Sequence, residues 1–218
     1  MNDEIISTGV VIKTMPIGEY DKRVVMLTGE YGKIHAFARG ARRPTSPMLA
    51  GSEPLTFARF HLRQGKSTYS LVAIDVADYF EGLREDFDKV MYAMYFLELA
   101  EYFGRENLGA PQQVKLIYAA FKKLENAGKE LSVSFIKTVY ELKTFSIEGI
   151  LPEGAACGLK DPAAIYAVDF IERTDPLKLF SFAVKEEAAK ELSELAGAMR
   201  KRHTDDRFNS LRMIEGLL

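Results

Sequence analysis

Tyr31-Gly-Lys-Ile-His-Ala-Phe-Ala-Arg-Gly-Ala-Arg-Arg43 is a short run with two faces. Side chains alternate along a strand. Ile34, Ala36 and Ala38 therefore point one way, and Lys33, His35, Phe37 and Arg39 point the other. The first set is small and apolar and suits the inside of a barrel. The second is cationic with one aromatic in it. Gly40 breaks the strand, and Arg42 and Arg43 follow on a loop. Charge for phosphates and a flat ring for a base are what single-stranded nucleic acid requires. A solvated strand face, with Phe37 packed under a neighbour, accounts for the same residues without a ligand. The pattern recurs further on, which shifts the balance. Phe57, Arg59, His61 and Arg63 share one strand face, while Ala58, Phe60 and Leu62 share the other.

Working outward, residues 4–15 are β-branched and alternating, and predict a first strand. Residues 23–28 predict a second, and Gly29-Glu-Tyr-Gly32 a hairpin turn into the third. Gly40, Pro44, Pro47, Gly51 and Pro54 mark a long loop of the functional or mobile kind. A fourth strand covers 55–63, Gln64-Gly-Lys66 turns the chain, and a fifth strand covers 67–79. These strands predict a small Greek-key barrel of the OB type. A Src-homology-3-like barrel is the rival, and periodicity does not separate the two.

After Tyr79 the apolar period becomes that of helices. Helices are expected from Asp86 to Phe103, from Pro111 to Gly128, from Ser132 to Ile147, over 184–202 and over 206–218. Residues 150–182, with Pro152, Pro162 and Pro176, read as irregular. The expected architecture is α+β: a five-stranded OB-type domain over residues 1–80, then an antiparallel helical bundle over 81–218 with an irregular insertion at 150–182.

The net charge of −2 over 218 residues argues against a uniform polycation. The charge is uneven, however: residues 33–66 carry seven basic side chains against Glu53 alone. Local charge sets the field that a phosphate backbone meets. One cysteine, Cys157, permits no intrachain disulfide and points to a reducing compartment. No basic leader and no long apolar run is visible, so a soluble cytoplasmic protein without membrane contact is expected. Catalytic signals are weak. There is no phosphate-binding glycine loop and no nucleophile elbow, and His35, His61 and His203 sit in no metal or base motif. Neither catalysis nor a cofactor is expected.

One family carries the same residues. The matching runs are Thr8-Gly-Val-Val-Ile-Lys13, Gly18-Glu-Tyr-Asp21, Val24-Val-Met-Leu-Thr28 and, most specifically, Gly32-Lys-Ile-His-Ala-Phe-Ala-Arg-Gly-Ala-Arg-Arg-Pro44. Leu49-Ala-Gly51, Glu53-Pro-Leu55, Leu151-Pro152, Cys157-Gly158 and Arg212-Met-Ile-Glu215 add to them. The chain resembles the RecO family of bacterial recombination mediators in DNA repair, most strongly over residues 1–80. The resemblance implies an N-terminal OB-fold and a C-terminal helical domain. It implies binding of single- and double-stranded DNA and annealing of complementary strands. It also implies contact with the acidic tail of single-stranded-DNA-binding protein, and work with RecR, often with RecF, to load RecA near the nucleoid. Many members hold zinc through paired cysteines. Here Gly154-Ala-Ala-Cys157-Gly158 keeps one cysteine, and one thiolate cannot make a four-coordinate site. The loop is read as a degenerate zinc ribbon without metal, held by Ile165, Tyr166, Phe170, Leu179 and Phe182.

On this reading Lys33, Arg39, Arg42, Arg43, Arg59, Arg63 and Lys66 neutralise phosphates, with His35 and His61 on the same face. Phe37 or Phe57 supplies the stacking surface. Lys115, Lys122 and Lys123 beside Phe121 are assigned to the partner's acidic, apolar-tipped tail, with a solvated helix face as the plain alternative. The competing function is a protein-interaction scaffold whose barrel binds a peptide or subunit rather than DNA.

Overall fold

A computed structural model describes residues 4–65, 68–128, 131–152 and 158–216. The chain divides into two compact units, Met1–Glu81 with Leu97–Val114, and Gly82–Phe96 with Lys115–Leu218.

The first unit is a barrel of five strands, β1 Glu4–Ile17, β2 Asp21–Thr28, β3 Gly32–Ala38, β4 Phe57–Gln64 and β5 Tyr69–Asp78. The order is β1-β2-β3-β5-β4, closed by β4 on β1. Every pairing is antiparallel except β3 with β5. That parallel seam is the connectivity of an OB-type barrel, which separates it from the rival. Alternation holds as read on β3 and β4: Ile34, Ala36, Ala38, Ala58, Phe60 and Leu62 all enter the core with Val11, Val24 and Met26. The alanines leave room for Phe60 in so narrow a barrel.

The outer face of β1 and β2 is buried too, with Val10, Ile12, Val25 and Leu27 at most 3% exposed. Residues 97–114 lie against this edge. Lys33 N donates to Arg105 O (2.9 Å) and Ala110 N to Gly29 O (3.0 Å). Gly32 has φ +68°, and a Cβ there would collide with the carbonyl oxygens of Arg105 and Leu108. Only glycine allows that approach. The loop from 39 to 56 is a succession of tight turns, with Arg43 N on Gly40 O, Ser46 N on Arg43 O and Ser52 N on Met48 O. The buried Lys22 ammonium fastens it through Ser52 Oγ (3.1 Å) and the Glu53 carboxylate.

In the second unit the chain forms helices around α4, Val133–Ile147. The others are α1 Glu81–Arg84, α2 Phe87–Phe103, α3 Pro111–Glu125, α5 Pro162–Arg173, α6 Glu186–His203 and α7 Asn209–Ile214. The unit boundary falls within α2 and α3. Ser132 caps α4 by accepting from Phe135 N (3.2 Å). Phe96 stacks on Tyr140 at 4.0 Å, and the Tyr140 hydroxyl donates to Phe96 O (3.0 Å).

Residues 162–173, read from sequence as irregular, form a helix, and a short 3-10 turn follows at Pro176–Ser181. Their prolines start helices rather than break them. Asp161 and Asp175 are the caps, and proline is tolerated in a first turn because its missing N–H would be unbonded there. Ala164, Ala167, Val168 and Ile171 form the buried face of α5. Tyr166, expected to pack, is 71% exposed, whereas Phe182 does contact Phe170 and Phe135. Cys157 lies outside the described residues.

Candidate nucleic-acid interface

Strand register assembles the outer face of the barrel. The hairpin joining β2 and β3 sets Arg23 opposite Phe37. The parallel seam sets Phe37 opposite Ser70, and the β4–β5 ladder sets Ser70 opposite Arg63. Directly opposed residues share a face. The result is a lateral row, Arg23–Phe37–Ser70–Arg63, in which a half-buried ring lies between two exposed guanidinium groups. Arg23, which starts the predicted second strand, is absent from the site residues expected from sequence. The signal for it was available, because hairpin register follows from the turn at 29–31.

Beside this row the β1–β2 turn meets the loop after β3. Arg42 N donates to Tyr20 O (2.8 Å) and Arg42 Nη1 to Gly18 O (3.0 Å). Gly40 N donates to Asp21 Oδ1 (2.7 Å). The Arg43 guanidinium lies over the Tyr20 ring, 5.2 Å from its centroid. Arg39 and Arg43 line one side of a cleft of about 580 Å3, and Glu19, Tyr20 and Asp21 line the other. Tyr20 is the second residue that sequence reasoning missed. An aromatic exposed in a turn, rather than placed on a strand, was its signal.

Several expected site residues are occupied otherwise. Lys33 Nζ donates to Glu101 O (3.0 Å), which takes it into the fold of residues 97–114. His35 Nε2 faces Glu106 at 3.4 Å. Phe57 is half-buried and opposes Val10 and Asp78. The face around Arg59 is not purely cationic, because Arg59 opposes Asp75 and Arg63 opposes Glu4. His61 bridges these two acids, with Nε2 2.8 Å from Asp75 and Nδ1 3.1 Å from Glu4. Lys66 lies outside the described residues. Positive charge is therefore concentrated toward Arg23, Arg39 and Arg43.

The Asp75 hydrogen bond, and after it that of Glu4, holds the His61 imidazole above its ordinary pKa. Only the imidazolium can donate to both carboxylates at once. This stabilisation is complete below the unfolded value of about 6.5 and is lost as pH rises through the higher folded value. Thermal unfolding of the wild type should fall in midpoint above about pH 6.5, and His61→Gln should flatten that dependence. An unchanged slope in the variant would show that other groups are responsible.

In the helical unit, Phe121 is fully buried and cannot present a ring to a ligand, which corrects its assignment to the tail site. Lys115 faces Asp175 at 3.4 Å. Lys122 and Lys123 do line a cleft of about 320 Å3, together with Tyr118, Leu177, Lys178 and Phe180. Among the described residues no group of three or more histidine, cysteine or acidic side chains is placed to hold a metal ion.

Comparison with known proteins finds two family models, matching successive stretches of the chain. The family model described as Recombination protein O N terminal matches residues 1–80, and Recombination protein O C terminal matches residues 84–161. The chain is 32% identical over 153 residues to the DNA repair protein RecO of Alkaliphilus metalliredigens, an alignment covering 70% of this chain and 61% of that protein. It is 26% identical to that of Acetivibrio thermocellus across 97% of this chain and 96% of that one. The Bacillus subtilis protein is 32% identical over 149 residues, or 68% of this chain and 57% of the relative. The matched stretch thus spans less than two thirds of the Alkaliphilus and Bacillus proteins.

Proposed function

The chain belongs to the RecO family of DNA repair proteins, and we propose that it is a non-catalytic mediator that binds DNA on its barrel. The observation that carries this reading is the row Arg23–Phe37–Ser70–Arg63 running beside the Arg39 and Arg43 cleft. Guanidinium groups neutralise phosphates and release counterions without regard to sequence. A half-exposed ring among them gives a base a stacking surface worth about 1–3 kcal/mol. Two strands held on such a surface repel each other less, so single- and double-stranded DNA both bind and complementary strands anneal without a nucleotide cofactor.

The family supplies the rest of the proposal. The protein acts with RecR, and in some settings RecF, to load RecA on strands coated by single-stranded-DNA-binding protein. Its place is the cytoplasm at the nucleoid. Among the described residues no helix is long and apolar enough to cross a membrane. The acidic, apolar-tipped tail of the coating protein would enter the Lys122 and Lys123 cleft, where Leu177 and Phe180 offer apolar walls and Lys178 a third ammonium group.

Fluorescence anisotropy of labelled single-stranded DNA at several salt concentrations tests the reading. Four phosphate contacts predict a log–log slope of about −3. A flat slope, or no binding, would support the scaffold function instead. In the same assay a labelled tail peptide should bind and should weaken when Lys122 and Lys123 become glutamate. Unchanged peptide binding would move the tail elsewhere.

A further inference from the structure

The cleft between the β1–β2 turn and the loop after β3 has a composition that phosphate binding does not explain. Arg39 and Arg43 line it, but so do the acidic residues Glu19 and Asp21. A cradle for phosphate alone would gain nothing from two acids, which repel the anion. The edge of a nucleobase is different, because exocyclic amino groups need acceptors, and carboxylates accept from the cytosine N4 amino group. Asp21 already accepts from Gly40 N through Oδ1, yet a carboxylate retains further lone pairs. Glu19 is exposed at the mouth. Tyr20 is 42% exposed and carries Arg43 over its ring, which makes a platform on which a base can stack. The volume, about 580 Å3, falls within the range of small-ligand sites. The walls are fixed in advance by the Arg42 and Gly40 hydrogen bonds, so little ordering is needed on binding.

We propose that this cleft takes one unpaired nucleobase from a bound strand. Tyr20 stacks on it, Glu19 reads its amino edge, and Arg39 and Arg43 hold the adjoining phosphates. Amino-bearing bases such as cytosine are then preferred, and thymine is disfavoured because its carbonyl oxygens face the carboxylates. The proposal rests on the DNA-binding reading above and adds a base preference to it.

The test is anisotropy titration of the full chain with labelled oligodeoxycytidylate and oligothymidylate of equal length at one salt concentration. The wild type should bind the cytidylate about tenfold tighter. Glu19→Gln should bring the two dissociation constants together. Loss of a negative charge acting only through the general field would tighten both strands equally and leave their ratio unchanged, which would overturn the assignment of Glu19. Tyr20→Ala should weaken both strands by about tenfold, and Tyr20→Phe should restore them. Equal wild-type affinity for the two strands would overturn the base pocket and leave DNA binding intact. Absence of binding to either would overturn both.

Discussion

Replacing Arg200 by leucine is expected to lower the free energy of unfolding by about 3–5 kcal/mol. Glu141 is fully buried on α4. It accepts from the Tyr95 hydroxyl (2.5 Å), from Arg200 Nη1 (3.0 Å) and from Lys137 Nζ (3.1 Å). Burial, and then the neighbouring Glu141 charge, push the Tyr95 phenol well above its usual pKa, so it remains a neutral donor. Arg200 also reaches Asp206 through Nε (2.6 Å) and Glu215 through Nη2 (3.6 Å), joining α6 to the segment that holds α7. Without the guanidinium, the buried Glu141 carboxylate keeps only Lys137 as a full charge partner, and its desolvation is offset much less. Adding Glu141→Gln to the Arg200 variant should recover part of the loss, because the amide oxygen still accepts from Tyr95 while the under-compensated buried charge is gone. Urea unfolding of the two variants checks this. A double variant less stable than the single one would show that packing, not charge, sets the effect.

The second large effect is on DNA. Arg39→Ala with Arg43→Ala is expected to weaken single-stranded binding by roughly tenfold to a hundredfold at low salt, and to reduce the salt slope by about 1.4. Both side chains line the cleft without a backbone carbonyl to anchor them, apart from the Arg43 contact with Tyr20. Arg42 is best left in place. Its side chain holds Gly18 O, so removing it would loosen the turn that carries Tyr20 and confuse a positioning effect with a phosphate contact. Lys33→Ala is the informative comparison. Its ammonium donates to Glu101 O, so the variant should lose stability and keep the salt slope. If the slope falls for Lys33→Ala and holds for the arginine pair, the interface is on the other side of β3.

The two faces of β3 and β4 were legible because alternation needs only local backbone geometry. Phe60 and Leu62 inside, and Arg59 and Arg63 outside, follow from it directly. The helices with strong caps were legible for a similar reason. Residues 162–173 escape a sequence reading although Asp161-Pro162 is a sound start signal, because three prolines spread over residues 150–182 read equally well as breakers.

What alternation cannot supply is the neighbour across a non-local pairing. β5 carries an unpaired residue at Val72, between the pairs Leu71 with Leu62 and Ala73 with His61. Strict alternation from buried Leu71 would send Asp75 inward. The bulge reverses the phase and places Asp75 outside, against His61 and Arg59. A face that is cationic in sequence thereby becomes mixed. In the same way, residues 97–114 close over the edge of β1–β3 and occupy Lys33, which no strand pattern could announce.

The sequence by itself determined the barrel core, the helical second half, the cationic run from Lys33 to Arg43 and the family. Each is written in adjacent residues through period, turn chemistry and local charge. Only the tertiary structure decided which cations share a face, that Arg23 and Tyr20 join them, and that Glu141 pairs with Arg200. These depend on strand register, a bulge and helix packing, which bring together residues far apart in the chain.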